Sequence, residues 1–257
     1  MPTLITRGAM SAFGFGFGGP VIVPVPYAFT GNTVSGNGVS ISVTIPAAGI
    51  PARSGIYVFV YEDPYSNAAI SNGSVSDTAG TPNTYTEIGV GYEDPVGGRT
   101  QIFQAYNSNA LGSGNTITYT MYVTGNYAVM SVFYVTGLRT SSSPLDAATL
   151  TTQTFGYANP AALQSGVPSV SGELFISMAG WQNDNGSTSV FSLDTSNGWV
   201  APPPTGISGV DPTPTHFGIA GGAQVNAGVS TLTTAPTFTS HTGLFGITAI
   251  FGLKHAP

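Results

Sequence analysis

Strict alternation of apolar and polar residues is the feature that most constrains this chain. Residues 39–45 read Val-Ser-Ile-Ser-Val-Thr-Ile, and residues 115–124 alternate in the same way. A period of two residues is typical of a strand with one buried face, because successive side chains of a strand point to opposite sides. No segment combines a sustained helical period with capping residues. We therefore predict an all-β protein.

Other segments are almost continuously apolar, which is typical of strands covered on both faces. They are residues 55–61, 127–135, 173–179 and 243–253. The pair Gly125-Asn126, which lies between the alternating residues 115–124 and the apolar residues 127–135, predicts a hairpin of these two segments. About a dozen strands at this spacing predict an antiparallel two-sheet sandwich, either jelly-roll or concanavalin-like. The predicted core residues are Val58, Val60, Met130, Val132, Phe175 and Ile247.

The first 29 residues have a different composition from the rest, so we predict an extended arm over residues 1–29 and a sandwich domain over residues 30–257. The arm alternates Phe with Gly and continues as Val-Ile-Val-Pro-Val-Pro. Proline has no N–H to donate to a ladder, so such a segment forms no core of its own. It is either an anchor that docks on a neighbouring chain or an edge strand of the same domain. The predicted anchoring residues are Phe13, Phe15, Phe17, Val21, Val23 and Val25.

Charge is scarce, with 5 Lys and Arg against 11 Asp and Glu in 257 residues, and a net charge of -6. No basic patch is present, so neither nucleic acid nor an anionic membrane surface is an expected partner. The chain has no cysteine, which excludes disulfides and thiolate metal sites. Prolines and glycines interrupt the apolar stretch at residues 8–29, so we expect no signal peptide and no membrane span there.

Several segments resemble parts of tailed-bacteriophage virion proteins. Residues 4–18 resemble the N-terminal leaders of tail-fibre, spike and head-fibre components. Residues 76–80 with Tyr85, residues 132–138 followed by 142–146, and residues 247–254 resemble a β-sandwich domain of phage and secreted bacterial proteins. The resemblance implies a virion surface protein, released by lysis, that contacts other virion proteins through its arm. It also implies a homo-oligomer, with a trimer favoured, and it carries over no catalytic residue.

Catalytic chemistry has weak support in the sequence. The three histidines, His216, His241 and His255, are scattered, and no Gly-x-Ser-x-Gly motif accompanies them. The motif Tyr-Glu-Asp-Pro occurs at residues 61–64 and 92–95, but adjacent residues on a strand point to opposite faces. We therefore interpret both acid pairs as solvated strand ends rather than as the paired carboxyls of a glycosidase. We predict no enzyme and no cofactor.

Two kinds of binding site are compatible with the composition. Asn183-Asp-Asn185, and Asp77 near Asn72, offer oxygen ligands for calcium, although an Asx turn explains both. Trp181, Asn183, Asp184 and Trp199 have the composition of a sugar-binding platform, although core packing explains the two tryptophans better.

We therefore expect a structural protein of a phage virion that contributes to host attachment. A carbohydrate-binding module for host glycan is the alternative, and a glycan-cleaving enzyme is a third hypothesis.

Overall fold

The computed structural model describes residues 29–30, 39–63, 73–88, 92–93, 98–121, 127–183, 191–200, 217–239 and 243–256. Within these ranges the chain is all-β and antiparallel, as the alternation predicts, and its only helical element is a 3-10 turn at Thr195–Asn197. The strands of the first half are β1 Phe29–Thr30, β2 Ser40–Thr44, β3 Gly55–Asp63, β4 Ser74–Asp77, β5 Thr86–Glu87, β6 Tyr92–Glu93, β7 Arg99–Ala105, β8 Thr116–Thr120 and β9 Tyr127–Val135. Those of the second half are β10 Leu145–Gly156, β11 Leu163–Gln164, β12 Glu173–Asn183, β13 Phe191–Ser192, β14 Phe217–Asn226, β15 Thr233–Thr234, β16 Thr237–Phe238 and β17 Leu244–Leu253.

The two halves repeat the same strand order. In the first half the large sheet has the order β1-β9-β3-β7, extended by β5 and β6, and the small sheet has the order β2-β8-β4. In the second half the large sheet has the order β10-β17-β12-β14, and the small pairs are β11-β15 and β13-β16. In both halves the first strand lies beside the last strand of the same half. The chain passes back and forth between the large sheet and the small one, which is the strand order of a jelly roll.

A short sequence match coincides with this structural repeat. Residues 49–55 read Gly-Ile-Pro-Ala-Arg-Ser-Gly and residues 166–172 read Gly-Val-Pro-Ser-Val-Ser-Gly, and each segment leads into the long central strand of its half, β3 or β12. The chain therefore contains two structural repeats, and we call the halves the N-repeat and the C-repeat. Their large sheets are the inner N-sheet and the inner C-sheet.

The two inner sheets pack face to face, so that β14 lies on β9, β7 lies on β17 and β3 lies on β12. Exchanging the repeats maps the contact of β14 with β9 onto that of β7 with β17 and the contact of β3 with β12 onto itself, and β14 also contacts β3. A shared aromatic core fills the interface. In it the ring of Phe251 lies 6.0 Å from Phe59 and 6.2 Å from Tyr57, while Phe133 stacks on both at 5.3 and 5.0 Å.

Each repeat also has a core of its own on the outer face of its inner sheet. The predicted core residues Val58, Val60, Met130 and Val132 are completely buried between the two sheets of the N-repeat. Phe175 is completely buried in the C-repeat core, with Trp199 and Ile250, and Ile247 is 1% exposed. All six predictions of burial are confirmed, but these residues belong to separate cores and not to a single one.

The predicted hairpin of β8 with β9 is wrong. β8 pairs with β2 and β4 in the small sheet, whereas β9 pairs with β1 and β3 in the inner N-sheet. The patterns of the two strands already differ, since β8 alternates between buried and exposed positions and β9 is buried at every position described from residue 128 to 135. A strand buried on both faces belongs to a middle layer, and a half-exposed strand belongs to an outer one.

Candidate functional site

The ends of both central strands meet at one pole of the molecule. A Cβ atom built on Gly180 of β12 would lie 2.9 Å from the ring of Tyr61 of β3. Nearer the start of β3, the ring of Tyr57 lies 6.2 Å from that of Phe251, which pairs with Ile176 near the start of β12. The two strands therefore run in the same direction and end together at Asp63 and Asn183. We call this pole the loop end, and the opposite pole, where β9 leads to β10 through residues 136–144, the linker end. The acid pair at Glu62 and the tryptophan at Trp181 both lie at the loop end.

A buried polar network occupies the N-repeat at the loop end. The hydroxyl of Tyr119 on β8 lies 2.5 Å from Oε2 of Glu62 and 2.5 Å from Oε1 of Gln101. Nε2 of Gln101 donates to Oε1 of Glu87 at 3.5 Å, and the guanidinium of Arg99 lies 3.8 Å from the same oxygen. Glu62 and Tyr119 are completely buried, and Gln101 is 1% exposed.

This arrangement corrects the interpretation of the first acid pair as a solvated strand end. β3 places Glu62 on the same face as Val58 and Val60, which points into the N-repeat core, so the carboxyl is enclosed with Tyr119. Burial and the neighbouring Glu62 raise the pKa of Tyr119 far above its ordinary value, so the phenol remains a neutral donor. The side chains of Asp63 and Glu93, and residue 94, lie outside the described residues.

In the C-repeat, the corresponding position at the loop end is apolar. The indole of Trp181 stacks on Phe191 at 5.8 Å and meets Phe238 edge-on at 5.0 Å, and Phe155 and Leu244 complete the cluster. Trp181 is only 7% exposed. The two repeats therefore differ in chemistry at this pole, with a charged network in one and an aromatic plug in the other.

The structure does not bring the four predicted sugar-binding residues together as an exposed platform. Trp199 is completely buried in the C-repeat core, and its indole N–H donates to the carbonyl of Thr233 at 2.7 Å. Both tryptophans are thus core residues, and the N–H of Trp199 is satisfied as expected for a buried indole. Asn183 ends β12, but its side chain and the whole of Asp184 lie outside the described residues.

The aspartates that offered calcium ligands are capping residues where the structure describes them. Asp77 accepts hydrogen bonds from the amide of Ala79, from Asn83 at 2.8 Å and from the hydroxyl of Tyr85 at 2.9 Å. Asp194 holds the corresponding position of the C-repeat and accepts from Asn197 at 2.6 Å. These donors occupy the carboxylate oxygens and support the Asx-turn interpretation. Asn72 and residues 184–185 lie outside the described residues, and the described residues contain no group of three metal-ligating side chains.

A second pair of carboxyls lies at the linker end. Glu173 is completely buried and Asp146 is 3% exposed. The Nζ atom of Lys254 lies 3.4 Å from Asp146, whose other oxygen accepts from the amide of Ser169 at 2.7 Å. Burial and the adjacent Asp146 raise the pKa of Glu173 to about 7. The pKa of Asp146 falls to about 2, because hydrogen bonds and Lys254 outweigh the cost of its burial.

Sequence reasoning missed one exposed aromatic residue at the loop end, Tyr157. It follows β10, is 70% exposed and has a φ of 57°, which is unusual for a residue other than glycine. Its ring meets the buried Phe245 edge-on at 4.5 Å, and its amide donates to Leu244 at 2.7 Å. No signal in the sequence separates Tyr157 from the other tyrosines, because its exposure follows from the backbone geometry after β10.

Of the three histidines, His255 alone is described. Its Nε2 lies 3.3 Å from the carbonyl of Ser171 and its Nδ1 lies 2.6 Å from that of Ala256, so it ties the C-terminal tail to the linker end. Outside the described residues lie His216, His241 and the predicted anchoring residues Phe13, Phe15, Phe17, Val21, Val23 and Val25.

Comparison with known proteins adds no relative: no family model, no curated protein and no solved structure matches this chain. None of the described elements is a helix of the length and apolarity that crossing a bilayer requires.

Proposed function

We propose that this chain is a structural protein of a bacteriophage virion, exposed on the particle as a fibre, spike or decoration component. The observation that carries the proposal is that the carboxyl groups whose side chains the structure describes serve the fold. Glu62 contacts Tyr119, Asp77 and Asp194 cap loops, and Asp146 and Glu173 are enclosed with Lys254. A rigid β scaffold whose polar groups are committed to structure suits a building block.

The resemblance of residues 4–18 to virion leaders supports the same proposal. In it, the arm of residues 1–29 holds the protein in the particle by burying Phe and Val side chains against neighbouring virion proteins. Each such side chain contributes about 1.5–3 kcal/mol when it is fully buried. The protein acts at the virion surface, as one of several copies.

A particle incorporation assay tests this proposal. Deleting residues 1–26 removes the predicted anchors and leaves β1 in place, so the truncated protein should fold and fail to join the particle. The control replaces Arg7, in the same arm but outside the apolar run, with Gln, and should incorporate normally. A truncated protein that incorporates as well as the full chain would contradict the proposal.

Glycan binding is the second candidate, and Tyr157 is the observation that favours it. A strained backbone that presents an exposed ring is the geometry expected of a contact residue. Binding through one ring is weak, but many copies on one particle raise the effective concentration. Tyr157→Ala should therefore reduce attachment of particles to host cells, whereas Tyr106→Ala, at a tyrosine that is 42% exposed, should not. Equal attachment by both variants would contradict a role for Tyr157.

In the same proposal the protein has no catalytic activity. Incubation of purified protein with host polysaccharide should release no reducing ends. Sustained release that Glu62→Gln or Glu93→Gln abolishes, in a protein that remains folded, would establish the glycan-cleaving hypothesis instead.

A further inference from the structure

The two repeats differ in how they cover one equivalent position at the linker end. Tyr57 and Leu174 follow the matched glycines Gly55 and Gly172 by two residues. Tyr57 pairs with Gln104 on β7, and Leu174 pairs with Val225 on β14. Gln104 and Val225 are thus equivalent residues on equivalent strands, yet Gln104 is 2% exposed and Val225 is 42% exposed.

In the N-repeat, this position is covered by the segment that precedes β10, the first strand of the C-repeat. Ser143, two residues before β10, donates from its hydroxyl to Oε1 of Gln104 at 2.9 Å. Nε2 of Gln104 donates in turn to the hydroxyl of Tyr57 at 2.8 Å. A polar residue is therefore covered by a polar segment, and both of its functional groups are satisfied.

In the C-repeat, the equivalent position belongs to a group of exposed valines. Val225, Val229 and Val170 are 42%, 55% and 40% exposed, and we call these three residues the valine surface. Val225 precedes Asn226 and Val229 follows it by three residues, while Val170 lies two residues before Gly172, whose amide donates to the backbone oxygen of Asn226 at 2.8 Å. The side chain of Asn226 accepts from the amide of Gly228 at 3.1 Å and donates to the carbonyl of Ser230 at 2.6 Å. These bonds fix the two loops that carry Val170 and Val229 beside the end of β14.

The repeat identifies the segment that corresponds to Ser143. Val58 and Phe175 are equivalent, because each lies three residues after a matched glycine. Val132 pairs with Val58 and Gly252 pairs with Phe175, so Val132 and Gly252 are equivalent as well. Phe29 pairs with Val132 and Asp146 pairs with Gly252, so Phe29 and Asp146 are equivalent in turn. Ser143 precedes Asp146 by three residues, and its counterpart therefore precedes Phe29 by three, at residue 26.

Direction and reach agree with this assignment. β1 runs antiparallel to β9, so Phe29, the N-terminal residue of β1, is on the side of the linker end, where β9 ends at Val135. The strand β14 lies on β9 and ends at the same pole. Residues 21–25 read Val-Ile-Val-Pro-Val, and five extended residues span about 16 Å, which exceeds the ~10 Å between packed sheets.

From these relationships we propose that the valine surface is the docking site for residues 21–27 of the same chain. This apolar segment covers Val225 in the C-repeat as Ser143 covers Gln104 in the N-repeat. Docking hides two apolar surfaces from water in the isolated protein, the valines of the arm and those of the C-repeat. This inference concerns the free chain and does not rest on the proposed virion role.

Disulfide trapping tests the proposal directly, because the chain has no cysteine of its own. The variant Val25→Cys with Val225→Cys is oxidised as a dilute full-length protein, and intact mass with peptide mapping separates cross-links within a chain from those between chains. The matched control is Val25→Cys with Thr154→Cys, because Thr154 is an exposed residue on β10, the other edge strand of the inner C-sheet.

The expected result is an intrachain cross-link that forms at least about tenfold faster in the test variant than in the control. Equal rates, or cross-links that form mainly between chains, would overturn the proposal. If Val225→Cys impairs folding as judged by circular dichroism, the pair Val23→Cys with Val229→Cys gives the same readout with the same interpretation. Failure of the virion proposal would appear separately, as normal incorporation of the truncated protein.

Discussion

Glu173 and Asp146 lie together in one buried site, and their pKa values are shifted from the ordinary values in opposite directions. The pKa of Glu173 is raised to about 7 from 4.5, and that of Asp146 is lowered to about 2 from 3.8. The stabilisation from Glu173 is complete below about pH 4.5 and is lost as pH rises towards 7. The stabilisation from Asp146 is present above about pH 4 and is lost as pH falls towards 2. This pair therefore favours the folded state most at mildly acidic pH.

Replacing Glu173 with Gln should remove the loss of stability between pH 4.5 and 7. An amide is neutral at every pH and keeps a donor for Asp146, so the variant should melt several degrees above the parent protein at pH 8 and close to it at pH 4.5. Thermal denaturation by circular dichroism from pH 3 to 8 measures this. Glu173→Leu is the control. It abolishes the titration together with the hydrogen bond, so it should be less stable than Glu173→Gln at all pH values. Parallel pH profiles for Glu173→Gln and the parent protein would contradict the prediction.

Replacing Tyr119 with Phe should cost about 1–3 kcal/mol of unfolding free energy, because Glu62 and Gln101 lose their shared buried partner. Urea denaturation measures the change. Tyr106→Phe removes a hydroxyl from a half-exposed tyrosine and should change stability by less than about 0.5 kcal/mol. A cost for Tyr119→Phe no larger than that of the control would show that the network contributes nothing to the fold.

Replacing Phe175 with Ala should cost about 3–5 kcal/mol, since the side chain is completely buried against Trp199 and Ile250. Tyr157→Ala is the control at an exposed ring and should cost about 1 kcal/mol or less. A cost below about 1 kcal/mol at Phe175 would mean that β12 presents its other face to this core, because a shift by one residue exchanges the faces of a strand.

Replacing Gly180 with Val tests the packing of the inner sheets on each other. A Cβ atom there would lie 2.9 Å from the ring of Tyr61 and 3.0 Å from the hydroxyl of Thr100, so the substitution should lower the melting temperature. Gly80→Val is the control, because no atom lies within 4 Å of the corresponding Cβ. Similar melting temperatures for the two variants would contradict the face-to-face packing.

The pattern of residues along the chain was enough to predict six of the strands, β2, β3, β8, β9, β12 and β17, and the burial of the six core residues named in them. The structure confirms the half-buried strands predicted from alternation, β2 and β8, and the fully buried strands predicted from continuous apolar runs, β3 and β9. These patterns depend only on the burial of each residue. The pairing of strands depends on contacts between distant residues, and for that reason the predicted hairpin of β8 with β9 failed although both strands exist. The structural repeat was not evident from the sequence, because the two repeats share little sequence beyond residues 49–55 and 166–172.

The candidate site was less predictable, because composition does not reveal which way a side chain points. Trp181 and Trp199 have the composition of a binding platform, but both rings fill cores, and Glu62 looked like a solvated acid but is enclosed. Alternate residues of a strand share a face, so the positions of Val58 and Val60 would have predicted that Glu62 is buried. The exposed Tyr157 could not be distinguished from the other tyrosines without the backbone geometry after β10.

The shared aromatic core between the repeats has a consequence for the connection that joins them. Tyr57, Phe59 and Phe133 belong to one repeat and Phe251 to the other, so the association of the repeats depends on their packed faces as well as on the intervening peptide. A single cut in residues 140–142 should leave two fragments that stay bound and migrate as one species. The two fragments, produced separately, should complement each other on mixing, as a split protein does.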